Sequence, residues 1–142
     1  SHPKPELWAG LVEAFARHIE ERYGKDEVRT WYFEVWNEPN LSGFWEGADQ
    51  DAYFKLYDLT ARTLKTVDPA LRVGGPATAG AAWVPEFLNH VKASGASVDF
   101  VTAPGLGTVG STQAPGRLPQ PAVGGCRSTW SWRSVSAKPT LR

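Results

Sequence analysis

The chain has 142 residues, enough for one ordinary domain with its own core, and its 15 basic residues balance 15 acidic ones. One cysteine, Cys126, excludes an internal disulfide framework, and no Cys/His spacing matches a structural zinc site, so no metal is expected. No apolar run approaches the roughly 20 residues of a membrane span, and no signal-peptide pattern opens the chain. Neither membrane nor nucleic acid is an expected partner, because the bases are scattered rather than clustered.

The charge is unevenly spread. Residues 1–102 hold all 15 acids and 10 of the bases, a balance of −5, whereas residues 103–142 hold Arg117, Arg127, Arg133, Lys138 and Arg142 and no acid. The chain contains no methionine and opens on Ser1-His2-Pro3, which reads as a processed product or an internal piece of something larger.

From Pro5 to Tyr23 the residues Leu7, Trp8, Leu11, Val12, Phe15 and Ile19 recur at helical spacing, and Gly24 follows as a stop. Residues 31–36 are aromatic and β-branched and predict a strand. Asp49 can cap a second helix reaching about Val67, with Tyr53, Leu56, Tyr57, Thr60 and Leu64 on its buried side. Asp68-Pro69 ends that helix, since a residue before proline resists the helical region. A strand is expected from Leu71 to Gly74, and a third helix from Trp83 to Ala93 with Val84, Phe87, Leu88 and Val91 inward. Val98 to Val101 is the third strand. Helices alternating with strands imply parallel strands joined by crossovers. Beyond Thr102 neither period is visible, and prolines, glycines and serines dominate, so little regular structure is expected. The acids and the periodicity vanish together there, which favours a lost reading frame near Thr102 over a plain flexible extension.

The chemistry-bearing stretch is Trp31-Tyr32-Phe33-Glu34-Val35-Trp36-Asn37-Glu38-Pro39-Asn40-Leu41. A strand-like run ends in Asn-Glu-Pro, delivering the carboxyl group of Glu38 to a strand's C-terminal end, where α/β folds do their chemistry. Pro39 cannot extend a sheet, so the chain must turn there. Trp36, Phe44 and Trp45 supply apolar surface that disfavours an ionised carboxylate and suits a general acid. Aromatic rings also stack on the C–H faces of sugars. The competing role for Glu38 is to cap the next helix, with Trp36 as core. Glu34 and Asp99 suit structural partners better than catalysts, and strand alternation puts Glu34 and Trp36 on one face. Gly74-Gly75-Pro76 lacks the Lys-Ser/Thr of a phosphate loop and reads as a tight strand-to-loop turn.

The stretch Trp31–Trp45 resembles the acid/base region of retaining glycoside hydrolases with (β/α)₈ barrels, in particular glycoside hydrolase family 39, the β-xylosidases and related α-L-iduronidases. The resemblance extends over Ala14–His18 and Arg22-Tyr23-Gly24 before it, and over Val67-Asp68-Pro69, Val73–Thr78 and Val98–Thr102 after it. It covers residues of about 3–102. It implies an α/β fold, a segment of a (β/α)₈ TIM barrel with about three parallel strands and flanking helices over 1–102, followed by an irregular tail over 103–142. By resemblance Glu38 matches the general acid/base and Asn37 the residue that hydrogen-bonds the sugar 2-hydroxyl. Phe44 and Trp45 match residues flanking the sugar, though either could pack under the loop. The implied partner is a carbohydrate, a β-xyloside or related glycoside, and no cofactor is implied.

A retaining glycosidase needs a second carboxylate about 5–5.5 Å from the first. In the family it is a glutamate ending a later barrel strand, and positions 100–142 contain no Glu or Asp. The family's histidine- and tyrosine-containing stretch after the strand matching 98–102 is also missing, replaced by Ala103-Pro104-Gly105. A whole barrel takes about 250 residues. The expectation is therefore the acid/base-bearing part of a β-xylosidase-type enzyme, inactive alone for want of a nucleophile. The alternatives are a non-catalytic carbohydrate-binding remnant and, from the charge split alone, a basic-tailed interaction protein. Oligomeric state and compartment are not legible.

Overall fold

The computed structural model describes residues 2–103 and the backbone of 129–131. Helix α1 (Pro5–Tyr23) begins with a proline, whose missing N–H is one of the unbonded donors of any first turn, and ends where Gly24 takes φ 85°. A four-residue turn of helix, α2 (Lys25–Val28), leads into β1 (Tyr32–Glu34). Helix α3 (Gln50–Val67) starts at Asp49, whose carboxylate accepts the Ala52 N–H at 2.9 Å, the expected cap. It ends at Asp68, and β2 (Arg72–Pro76) follows. Helix α4 (Val84–Ser94) closes on Gly95 in the left-handed region at φ 72°, and β3 (Phe100–Thr102) completes the alternation.

The sheet order is β3-β2-β1-β4, and each neighbouring pair is parallel. The strand β4 (Thr129–Ser131) lies in the tail, where little regular structure is expected, and its backbone pairs with β1 from Tyr32↔Thr129 to Glu34↔Ser131. The rest of the tail, with the proposed loss of frame, lies outside the described residues. The three strands β1, β2 and β3 with their helices form the expected α/β arrangement, part of a TIM barrel.

Phe33, Val35 and Val73 face a core shared with Trp8, Val12 and Ile19 of α1, Tyr53, Tyr57 and Leu64 of α3, and Phe87 of α4. Burying each such large side chain contributes about 1.5–3 kcal/mol. The inward stripes of α1 and α4 are narrower than the spacing predicts. Leu7 and Leu11 are 67% and 54% exposed, and Leu88 is exposed as well. Trp8, Val12, Ala16 and Ile19 already fill the face α1 turns to α3, and Leu7 and Leu11 point away from it by a residue's rotation.

Gly74 lies within β2 as expected, and the strand runs on through Gly75 and Pro76, a correction to the turn expected there. A β-carbon on Gly74 would meet the Phe100 carbonyl and come within 2.5–2.6 Å of its ring, while one on Gly75 would sit 2.8 Å from the Tyr53 hydroxyl. The pair lets β3, with the Phe100 ring, lie close beside β2 and lets α3 pack on its face.

The N-terminal ends of the strands are tied by charge. Lys65 Nζ donates to the Leu71 carbonyl at 2.6 Å and to Asp99 Oδ2 at 2.8 Å, and the Val73 N–H donates to the same carboxylate oxygen at 2.8 Å. Asp99 is thus a structural partner. Asp68 accepts the Ala70 N–H at 2.8 Å and Arg29 Nε at 2.8 Å. The Ala70 bond first, then the Arg29 guanidinium, hold the Asp68 carboxyl below its ordinary 3.8 against the opposing effect of burial.

Two outcomes follow for stability. Gly74→Ala should cost about 1–3 kcal/mol in urea denaturation, since the methyl group meets backbone and ring. Because the folded Asp68 carboxyl titrates below its unfolded value, its contribution is complete above about pH 4 and fades as pH falls through the folded value. Asp68→Asn should therefore flatten the loss of stability below about pH 4 relative to the parent chain.

Candidate active site

The opposite, C-terminal ends of β1 and β2 carry the candidate site. β1 stops at Glu34, earlier than the residues 31–36 expected, although the Val35 N–H still donates to the Gly74 carbonyl at 3.1 Å. Trp36 then takes φ 68° and Glu38 φ 49°. The chain thus turns ahead of Pro39, and the strand alternation that would put Glu34 and Trp36 on one face is broken. Left-handed backbone at a non-glycine residue costs about 1–3 kcal/mol, and such residues gather where function over-determines the geometry. Across from them Ala77, just past β2, is also left-handed at φ 55°.

Hydrogen bonds hold these turns. The Glu38 N–H donates to the Ala77 carbonyl at 2.8 Å, and the Ala77 N–H donates to the Thr102 carbonyl at 3.2 Å. Asn40 reaches the same loop: Nδ2 donates to the Ala79 carbonyl at 3.1 Å and Oδ1 accepts the Ala79 N–H at 2.8 Å. From the helical layer the Tyr53 hydroxyl donates to the Val35 carbonyl at 3.0 Å. Burial raises the Tyr53 phenol well above its usual 10. The neutral, donating form therefore supports the fold at every pH below that of a free tyrosine, and support is lost only as pH rises through the raised value.

Glu38 itself is half-buried and follows the half-buried Asn37, which lies between the two left-handed residues. Glu38 does not cap α3, a role that belongs to Asp49. Its carbonyl accepts the Leu41 N–H at 3.0 Å, beginning a run of turns that reaches a 3-10 segment at Glu46–Ala48. Phe44 stands on that loop, 53% exposed.

Trp45 packs under the loop, one of the two placements the sequence left open. It is 2% exposed, its indole N–H donates to the Asp49 carbonyl at 2.8 Å, and its ring packs edge-on against Trp36 at 5.1 Å and Tyr53 at 6.2 Å. Its ring is the floor of the loop, with its single polar atom satisfied by Asp49. Trp36 shares that floor, with its N–H on the Phe44 carbonyl at 3.0 Å. The supporting roles of Tyr53 and Asn40 were beyond sequence reasoning. Tyr53 was legible only as an inward residue of α3, and Asn40 only as part of the motif string.

Among the described residues no group of three or more His, Cys, Asp or Glu side chains could hold a metal ion, and no helix is long and apolar enough to cross a membrane.

A parallel sheet covered by helices, with a carboxylic acid set by strained backbone at a strand's C-terminal end, defines a barrel-type α/β enzyme scaffold. The sequence model of glycosyl hydrolases family 39 matches residues 2–114, and the chain belongs to that family. It superposes with a TM-score of 0.71 on the structure of a family 39 β-xylosidase from Caulobacter crescentus, at 70% identity over 72% of this chain and 23% of that one. The β-xylosidase of Geobacillus stearothermophilus is 53% identical over 97 residues, 67% of this chain and 19% of the relative. That of Caldicellulosiruptor saccharolyticus is 52% identical over 97 residues, 68% of this chain and 20% of the relative. The chain thus spans about a fifth of the length of these curated relatives.

Tyr53→Phe should keep the ring packing but take the donor from the buried Val35 carbonyl. The expected cost is about 1–3 kcal/mol, measured by urea denaturation, with no change in the far-UV circular dichroism of the folded state.

Proposed function

We propose that this chain carries the acid/base half of a retaining β-xylosidase-type site, with Glu38 as the proton donor and acceptor. The observation that carries the reading is the placement of Glu38: a half-buried carboxyl at the C-terminal end of β1, its backbone held left-handed and bonded to Ala77. In the reaction Glu38 protonates the departing glycosidic oxygen and then, as carboxylate, takes a proton from the water that attacks the sugar. Asn37 donates to the sugar 2-hydroxyl, a contact that gains strength as positive charge develops on the ring. The exposed ring of Phe44 flanks the sugar.

The nucleophile is the missing half. Positions 100–142 contain no acid, and β2 and β3 end in Pro76-Ala77-Thr78 and Thr102-Ala103, without a carboxylate. On this reading the chain alone does not turn over a β-xyloside. The exposure of Phe44 favours a second reading, sugar binding without cleavage. Weak xylose binding by the isolated chain, without turnover of an aryl xyloside, would be its signature.

The test places residues 2–103 in the Caulobacter crescentus relative in exchange for the matching segment. The chimera should hydrolyse aryl β-xylosides, and the 142-residue chain should not. Glu38→Gln in the chimera should lower kcat/KM about 10²–10⁴-fold for a poor leaving group and far less for dinitrophenol, which needs no proton. Equal losses on both substrates would refute the acid/base role. Turnover by the isolated chain would refute its inactivity.

A further inference from the structure

We propose that Asn40 is the positioning residue for Glu38, so that the acid/base half of the site is set by contacts within this chain and needs no other part of the barrel. The inference rests on the reading of Glu38 above and adds the residue that fixes its backbone.

Asn40 is two residues beyond Glu38, with the buried Pro39 between them. Its amide meets both main-chain polar groups of Ala79, 39 residues away, at 3.1 Å and 2.8 Å. One side chain here acts as a short piece of strand, giving a donor to a carbonyl and an acceptor to an N–H. A primary amide offers both side by side on one planar group at neutral pH. A carboxylate would set an oxygen against the Ala79 carbonyl, and an alkyl chain would leave both groups unmet.

The far side of the clamp is itself held. The Thr78 hydroxyl donates to the Ala82 carbonyl, closing the turn around Ala79, and the Ala77 N–H is bonded to the Thr102 carbonyl. Asn40 on one side and the Glu38 N–H on the other therefore join the β1 loop to the β2 loop at two points, Ala79 and Ala77. At the second point both bonded residues, Glu38 and Ala77, are left-handed. A strained conformation persists only when neighbouring contacts over-determine it, and Asn40 supplies the side-chain part of that determination. Every partner named lies between Val35 and Thr102.

The test compares Asn40→Ala and Asn40→Asp in the 142-residue chain by amide hydrogen exchange and by the side-chain carboxyl carbon shift of Glu38 in NMR. In Asn40→Ala the Glu38 and Ala79 amides should exchange at least about tenfold faster, and the Glu38 carboxyl shift should move. The Val73 amide, bonded to Asp99 at the other end of the sheet, should be unchanged. Asn40→Asp should resemble the alanine variant at neutral pH. It should regain protection, relative to the parent at the same pH, below about pH 4, where the protonated carboxyl again offers donor and acceptor. Unchanged exchange at Glu38, an unmoved carboxyl shift, equal acceleration at Val73, or no acid rescue of Asn40→Asp would each overturn the assignment. If Asn40→Ala does not fold, the pH dependence of Asn40→Asp decides alone. No sugar enters these measurements, so their outcome is separate from that of the xyloside assay.

Discussion

The hydrogen bond from the Tyr53 hydroxyl to the Val35 carbonyl is the contact on which the rest of the site depends. It joins the helical layer to the residue that follows the first strand, one position before the backbone turns left-handed. A buried carbonyl must find a donor, and here the donor comes from α3. Gly75 leaves room for the hydroxyl, since a β-carbon there would stand 2.8 Å from it. The strand's end is therefore fixed from behind, and the carboxyl-bearing turn has a rigid base to start from.

The two ends of the sheet have different tasks. At the N-terminal ends, Lys65, Asp99, Arg29 and Asp68 pair charges with one another and with backbone groups, and their effect is on stability. The C-terminal ends are joined differently. Backbone bonds between successive loops, from Glu38 to Ala77 and from Ala77 to Thr102, carry the geometry instead. A barrel scaffold works by this division: the strands supply a fixed frame, and the loops after them supply the chemistry.

Much of the fold was legible because its signals are local. The proline start and glycine stop of α1, the Asp49 cap and the Asp68-Pro69 break of α3, and the Gly95 end of α4 are each decided within a turn of helix. The buried stripe of α3 was also legible, because that helix is covered along its length. The stripes of α1 and α4 were read too broadly. Leu7, Leu11 and Leu88 have the right period, yet periodicity reports which residues could be buried and not whether a neighbour is there to bury them. The parallel strand at Thr129–Ser131 left no periodic trace, since three residues are too few to show one.

The sequence by itself determined the candidate carboxyl, Glu38, and the parallel α/β frame, because a strand-like run broken by Asn-Glu-Pro and an alternation of helix and strand periods are written along the chain. Only the tertiary structure decided what surrounds Glu38. It sent Trp45 to the floor beneath the loop, ended β1 before Trp36, carried β2 on through Gly75, and brought Asn40 onto Ala79. The physical reason is common to all four. Each depends on a group distant in sequence, a neighbouring ring or a backbone carbonyl in need of a donor, whose position exists only once the sheet and helices have closed around it.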